Sequence, residues 1–192
     1  MDVAICSPSH RGSMNQQSPT TLGRRIEAAE GYLLLEMSER ALRELREVES
    51  LVDEDSTHCF ELTRLRGEAF RQLEDYEEGA RQFLAAQTLD REDLSVSIGL
   101  AWCLKRSDRL DEAIDVMLSA YQLHNDEAIV LYNLSCYFAL AGDKTNALSW
   151  LGRALRMEAS LRALILEETD FDGLRNDSDF RLITGELTRD QA

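Results

Sequence analysis

The chain is poor in residues that end helices and in residues that carry out catalysis. Among its 192 residues there are only two prolines, Pro8 and Pro19, so no proline forces a helix to end after residue 19. Of the three histidines, His10, His58 and His124, none has a partner at the spacing of a metal site or a catalytic triad. No glycine-rich phosphate-binding loop is present. We therefore expect no cofactor and no metal, and we predict that the protein is not an enzyme.

Positive charge and long apolar runs are also scarce. The sequence has 21 Lys and Arg against 36 Asp and Glu, which gives a formal net charge of −15. Such a charge argues against binding to nucleic acid or to an anionic membrane surface. We find no signal peptide and no run near the roughly 18 apolar residues of a membrane helix. Four cysteines without a Cys-x-x-Cys pair favour free thiols, so we predict a cytoplasmic protein.

Residues of three kinds recur along the chain in steps of 34. A small residue is followed by a bulky apolar residue and then by another small residue, and this order occurs three times. The recurring sets are Gly79, Ala113 and Ala147, then Phe83, Met117 and Leu151, then Ala86, Ala120 and Ala154. A period near 34 residues is typical of solenoids built from helix–turn–helix units. We expect the small residues to let neighbouring helices approach and the bulky ones to fill the space beside them.

These units resemble the tetratricopeptide repeat (TPR) family, whose signature runs W-x-x-L-G-x-x-Y and then A-x-x-x-F. The third unit matches it best, at Leu131, Leu134, Phe138, Ala147 and Leu151. The resemblance is to small bacterial TPR arrays and covers roughly residues 22–187. It implies an all-α fold, a right-handed superhelical array of antiparallel helix pairs that ends in a C-terminal helical cap.

The pattern also predicts how the chain is divided. Residues 1–21 offer too few apolar groups to offset the entropy of ordering, so we expect a disordered tail there, and another at 188–192. The repeat domain between them comprises a degenerate unit at about 22–55, regular units at 60–93, 94–127 and 128–161, and a cap at 162–187. We expect helix pairs near 60–73 and 76–88, 94–106 and 109–122, and 128–141 and 144–157.

The resemblance implies that the first helix of each pair lines a concave groove. Eight residues fall on that surface by the 34-residue step: Arg64, Glu68, Arg71, Ile98, Trp102, Lys105, Tyr132 and Cys136. Arg106 shares the helix face of Ile98 and Trp102, and Asn133 matches one position of the two-carboxylate clamp found in some TPR domains. Basic and aromatic groups thus gather in a strongly acidic chain, which suits an extended peptide that carries carboxylates, with Trp102 and Tyr132 as anchors. The alternative, that Trp102 and Tyr132 only pack between helices, stays open.

An acidic segment near the C-terminus has the spacing of a calcium-binding EF-hand loop. Glu168, Asp170, Asp172, Gly173 and Asp179 fall at positions 1, 3, 5, 6 and 12 of that loop. However, Glu168 replaces the usual first Asp, and Asp179 replaces the bidentate Glu. We therefore predict a solvated capping loop without specific calcium binding.

The function most consistent with these patterns is a non-enzymatic adaptor or scaffold that binds one protein or peptide in its groove. A chaperone of the type III secretion class is an alternative, because such proteins are also small, acidic and built of about three TPR units. Self-association through exposed repeat ends, which would be a purely structural role, is a third possibility.

Overall fold

The computed structural model of the chain describes residues 19–51 and 58–186, and all regular secondary structure in these two ranges is helical. The predicted all-α class is confirmed. The first helix begins at Pro19, inside the stretch predicted to be a disordered tail. Residues 1–18 and 187–192 lie outside the described ranges, so the two predicted tails remain predictions there.

Eight helices form four consecutive antiparallel pairs. They are α1 (Pro19–Leu34) with α2 (Ser38–Glu49), α3 (Cys59–Gln72) with α4 (Tyr76–Leu89), α5 (Leu94–Arg106) with α6 (Leu110–Leu123), and α7 (Ala128–Leu140) with α8 (Lys144–Met157). Each helix also packs against the next one along the chain. The three regular pairs begin and end within one residue of the predicted positions.

The turn inside each pair contains one residue in the left-handed region of backbone space. These residues are Glu36, Glu74, Asp108 and Gly142, with φ angles of 56°, 61°, 58° and 75°. Only the last is glycine, the residue that adopts this conformation without steric cost. One residue after it, the Asp143 carboxylate accepts a hydrogen bond of 3.0 Å from a backbone N–H in the first turn of α8. Asp143 therefore caps α8, as its place in the turn predicts.

The small and bulky residues of the 34-residue pattern meet in the core. The Phe83 ring lies between α3 and α5, against Gly67 on one side and Gly99 on the other. A Cβ atom at Gly67 would lie 2.8 Å from the ring, and one at Gly99 would lie 2.5 Å from it. Met117 and Leu151, which occupy the same position in the later pairs, are completely buried.

The chain closes the array after α8 with short helical turns. A 3-10 turn (Ala159–Leu161) leads into α9 (Arg162–Ile165), followed by a 3-10 helix (Thr169–Leu174) and α10 (Ser178–Thr184). We call residues 159–184 the cap. Its 3-10 helix packs on α7, and α10 packs on α8. The rings of Phe171 and Phe180 are fully buried, with centroids 5.4 Å apart, so the cap contributes two aromatic side chains to the core.

A bilayer-spanning helix would need a longer and more apolar stretch than any helix within residues 19–51 or 58–186 provides.

Candidate functional site

Trp102 lies at the centre of a cluster of aromatic rings and arginines contributed by α3, α4 and α5. Tyr76 meets the indole edge-on, with centroids 5.3 Å apart and ring planes at 76°. The guanidinium carbons of Arg71 and Arg106 lie 5.0 Å and 5.8 Å from the Trp102 ring centroid. Arg106 also lies 5.2 Å from the Tyr76 ring centroid. Trp102 keeps part of its surface exposed, so the cluster can contact a ligand. We call these four residues the Trp102 cluster.

A hydrogen-bond network holds Arg71 against Trp102. The Arg71 guanidinium donates two hydrogen bonds, of 2.7 Å and 2.5 Å, to the Glu68 carboxylate, and this contact raises the pKa of Arg71 above its usual value. Gln72 donates to Glu68 at 3.1 Å and to a backbone carbonyl of α1 at 3.2 Å. Ser38 donates in turn to the Gln72 side chain at 2.6 Å. Three helices thereby fix the arginine before any ligand arrives, which lowers the entropy cost of binding.

A pocket of about 440 Å³ opens beside the Trp102 cluster. This is within the usual size range of ligand pockets and can hold a few side chains of an extended peptide. The residues around it come from the turns of the first two pairs and from α3 and α5: Glu36, Ser38, Arg71, Gln72, Leu73, Glu74, Tyr76 and Trp102.

Two of the predicted groove residues, Tyr132 and Cys136 on α7, lie inside the protein. Their relative exposures are 4% and 2%. The cap covers them, and the Tyr132 ring meets the Phe171 ring edge-on at a centroid distance of 6.0 Å. Tyr132 therefore packs within the fold, as the packing alternative expected, and is not an exposed anchor. The 34-residue step gave its position on α7 correctly but gave no information about a segment outside the repeats.

Lys105 is engaged by the cap as well. Its ammonium group lies 2.7 Å from the Asp170 carboxylate, and the two side chains are 15% and 8% exposed. Burial raises the pKa of Asp170 above its usual value even though Lys105 is adjacent. The charge of Lys105 is thus already matched within the chain, so it adds little attraction for an acidic ligand.

The same region brings three potential metal ligands together. Donor atoms of Cys136, Glu168 and Asp170 lie within 4.8 Å of one another. Lys105 already supplies a positive charge to this group, and burial raises the pKa of the Cys136 thiol well above its usual value. Within the fold, the Asp170 carboxylate of this group already forms an ion pair with Lys105. That no metal binds here remains a prediction.

Three of the carboxylates with EF-hand spacing form ion pairs with different partners. Asp170 points to α5, whereas Asp172 lies 2.8 Å from Arg175 and Asp179 lies 2.9 Å from Lys144. Only Glu168 and Asp170 lie together, beside Cys136, whereas Asp172 and Asp179 form their ion pairs with other residues. The expectation that no specific calcium site exists remains a prediction, and this divergence supports it.

The remaining predicted groove residues differ in their availability. Arg64 lies 3.3 Å from Glu30, and the Asn133 amide donates to the backbone of its own helix at 3.0 Å. Ile98 is partly buried against the core. Arg106 is exposed, and within residues 19–51 and 58–186 no carboxylate forms an ion pair with it. Arg106 is therefore the groove cation that is open to an acidic ligand.

Two residues of the site, Tyr76 and Gln72, are absent from the set predicted by the 34-residue step. Tyr76 begins the second helix of its pair, whereas the prediction considered first helices only. Gln72 is the last residue of α3 and falls one repeat before Arg106. That spacing was a signal which could have identified Gln72 as a residue of the same row.

The fold is similar to several solved structures. PilF of Pseudomonas aeruginosa matches with a TM-score of 0.70 and 18% identity, over 87% of this chain and 73% of that one. YrrB, a TPR protein with an unusual peptide-binding site, matches with a TM-score of 0.66 and 19% identity, over 77% and 75% of the two chains. MamA matches with a TM-score of 0.66 and 14% identity, over 76% and 82%. The sequence matches no family model and no curated protein. At these identities the similarity establishes the fold, and the chain is a TPR-like protein, an all-α array of repeated helix pairs.

Proposed function

We propose that this protein is a non-enzymatic adaptor that holds an extended peptide segment of a partner protein against the Trp102 cluster. The observation that carries the proposal is the cluster itself, a partly exposed tryptophan between tyrosine and two arginines beside an open pocket. Tryptophan, tyrosine and arginine are the residues that most often dominate the binding energy of protein interfaces. Peptide binding by YrrB, a structural neighbour, supports the same role.

The peptide that fits this surface carries a carboxylate next to an apolar side chain. Helix α5 contains no acidic residue, although the chain has 36 of them. At the end of α5, Arg106 lies against the Trp102 and Tyr76 rings and keeps its charge available. A carboxylate that pairs with Arg106 would leave the neighbouring side chain of the peptide beside the indole ring. Arg71 contributes less charge, because Glu68 already neutralises it.

We also propose that the protein works in the cytoplasm. Two of its thiols, Cys103 and Cys136, are buried and not cross-linked. Unpaired cysteines of this kind are typical of a reducing compartment.

A partner isolated with the wild-type protein tests the proposal. Trp102→Ala should weaken its binding by roughly thirtyfold, because a buried aromatic anchor typically contributes about 2 kcal/mol. The matched control is Leu84→Ala, which removes an apolar side chain that is 53% exposed on α4, away from the cluster. Affinity is measured by titration calorimetry and helical content by circular dichroism.

Two results would contradict the proposal. If Trp102→Ala unfolds the protein, Trp102 is a core residue and the cluster loses its anchor. If the variant folds and binds as tightly as Leu84→Ala, the partner binds elsewhere. Arg106→Glu should slow association and reduce its dependence on salt, because Arg106 attracts the acidic ligand.

A further inference from the structure

Helix α8 is basic in a strongly acidic chain. Between Lys144 and Met157 it contains Lys144, Arg153 and Arg156 and no acidic residue, whereas the whole chain has a formal net charge of −15. Lys144 contacts the cap, at 2.5 Å from Asp177 and 2.9 Å from Asp179. Within residues 19–51 and 58–186, neither Arg153 nor Arg156 forms an ion pair. Two arginines of α8 thus have no carboxylate partner among the described residues.

Arg153 lies against two aromatic rings. Its guanidinium carbon lies 4.4 Å from the Trp150 ring centroid and 5.1 Å from the Tyr121 ring centroid. The two rings meet edge-on, with centroids 4.9 Å apart and planes at 74°. All three side chains are partly exposed, and Arg153 donates a hydrogen bond to the Tyr121 hydroxyl. We call these three residues the Trp150 cluster.

The Trp150 cluster contains the same residue types as the Trp102 cluster, with one arginine instead of two, but it has a different place in the fold. Tyr121 belongs to α6 and Trp150 to α8, which are second helices of their pairs. The Trp102 residue lies on a first helix, so the two clusters occupy different surfaces of the array. A guanidinium has five N–H donors, and the Tyr121 hydroxyl takes one of them from Arg153. The remaining N–H donors of Arg153 can bind a carboxylate, which arginine often does with two parallel hydrogen bonds.

We propose that α6 and α8 form a second docking surface, centred on the Trp150 cluster with Arg156 beside it. Its partner is an acidic segment of another protein, and this segment also contains aromatic or aliphatic side chains. Charge complementarity selects this occupant, because α8 is a basic, acid-free helix beside the partly exposed rings of Tyr121 and Trp150, and the acidic residues of α6 all lie at least six positions before Tyr121: Asp111, Glu112 and Asp115. A second copy of the chain is a poorer fit, since two molecules of charge −15 repel each other. The two clusters would allow two partners to bind at once.

The tryptophan content of the chain allows each surface to be observed separately. The sequence has two tryptophans, so Trp102→Phe leaves Trp150 as the single indole fluorophore, and Trp150→Phe leaves Trp102. The probe is a short synthetic peptide made of Glu, Asp, Phe and Leu, and the control peptide has Lys in place of each acidic residue. In the Trp102→Phe protein, we expect the acidic peptide to shift the emission of Trp150 in a saturable manner. The Lys peptide should cause no shift.

Charge-reversed variants identify the groups responsible. In the Trp102→Phe background, Arg153→Glu should weaken binding of the acidic peptide by about tenfold or more, and Arg156→Glu by several-fold. The matched control is Arg43→Glu, which makes the same change of charge at an exposed position on α2 and should leave affinity within about twofold. If circular dichroism shows that Arg153→Glu perturbs the fold, the affinity of the exposed Arg156→Glu variant tests whether the charge of α8 binds the peptide.

Three outcomes would overturn the proposal. The first is a Trp150 emission that stays constant at peptide concentrations that shift the Trp102 emission in the Trp150→Phe protein, which would leave the Trp102 cluster as the binding site. The second is equal binding by the Arg156→Glu and Arg43→Glu variants, which would show that only net charge matters. The third is light scattering that shows a dimer without peptide and its loss in Arg156→Glu, which would make a second copy the occupant.

Discussion

Substitution of Gly99 by alanine should destabilise the protein, against the usual effect of this change in a helix. Gly99 lies in the middle of α5, where replacing glycine by alanine normally adds about 1 kcal/mol of stability. Here the new methyl group would lie 2.5 Å from one atom of the Phe83 ring and 2.8 Å from two others. The ring cannot move away easily, because α3 lies close on its other side, where even a Cβ atom built on Gly67 would come within 2.8 Å of the ring.

The magnitude follows from these two opposing effects. Overfilling a packed core typically costs about 1–3 kcal/mol, and a ring held from both sides should fall near the upper end of that range. After the gain in helix propensity, we expect a net loss of about 1–2 kcal/mol, or a decrease in Tm of roughly 2–8 °C for a chain of this size. Gly31→Ala in α1 is the matched control, since no atom lies within 4 Å of its new methyl group. That variant should gain about 1 kcal/mol.

Thermal unfolding followed by circular dichroism compares the two variants directly. The clash itself is isolated by a double-mutant cycle with Phe83→Leu, in which the smaller side chain should make Gly99→Ala neutral or stabilising. We expect a coupling energy of at least about 1 kcal/mol between the two positions, as is typical of residues in contact. If Gly99→Ala stabilises the protein as much as Gly31→Ala does, the Phe83 ring is not packed closely between α3 and α5, and the reasoning is refuted.

Three further predictions concern the turns and the cap. Glu74→Gly should raise the free energy of unfolding by about 1 kcal/mol in denaturant unfolding, because Glu74 has a φ of 61°, which glycine adopts without steric cost. The control variant Glu77→Gly, in the first turn of α4, should lower the free energy of unfolding by a similar amount. Lys105→Met should cost about 3 kcal/mol near neutral pH, because it leaves Asp170 buried without its partner. Burial raises the pKa of Asp170, so on acidification its carboxylate takes up a proton in the folded state before it does so in the unfolded state. The loss of unfolding free energy in Lys105→Met relative to wild type should therefore shrink as the pH falls, and a loss that grows would contradict this. Calorimetric titration with Ca²⁺ should show no site tighter than about millimolar, since Asp170, Asp172 and Asp179 are each paired with a different cationic side chain.

The helix pairs could be predicted from the sequence because the same residue pattern recurs in each unit. The small and bulky residues recur at 34-residue steps, and each copy confirms the position of the others. The turns follow the same logic, although only Gly142 has the residue type that signals a left-handed backbone. Glu36, Glu74 and Asp108 adopt that conformation because the packed helices on both sides require it, which local sequence does not reveal.

Gly99 shows a second limit of the repeat pattern. It does not fall 34 residues from another small residue of the recurring sets, so nothing in the sequence marked it as special. Its role depends on the direction of the Phe83 ring, which fills the space between two helices rather than one. A contact among three elements has no periodic signature, so it appears only when the helices are assembled.

The peptide-binding groove remains a prediction, and the structure shows that its residues differ in exposure. Trp102, Arg71 and Arg106 lie together, whereas Tyr132 and Cys136 lie beneath the cap. The cap lies outside the repeats, so the 34-residue step cannot assign its contacts. The acidic segment of the cap was predicted to be a solvated loop, but Asp170 is buried, and its ion pair with Lys105 joins positions 65 residues apart. No local pattern connects them.

Lys105 and Arg106 show how one turn of helix can divide two roles between adjacent basic residues. Successive residues of an α-helix point about 100° apart, because a turn holds 3.6 residues. Lys105 faces α7 and the cap, where Asp170 neutralises it, and Arg106 faces the Tyr76 and Trp102 rings, where its charge stays exposed. Stability and recognition should therefore separate at this pair, so that Lys105→Met mainly loosens the cap and Arg106→Glu mainly weakens peptide binding. On the proposed function, the peptide would therefore bind along the first three helix pairs, because the cap covers Tyr132 and Cys136 of α7 and Asp170 of the cap pairs with Lys105.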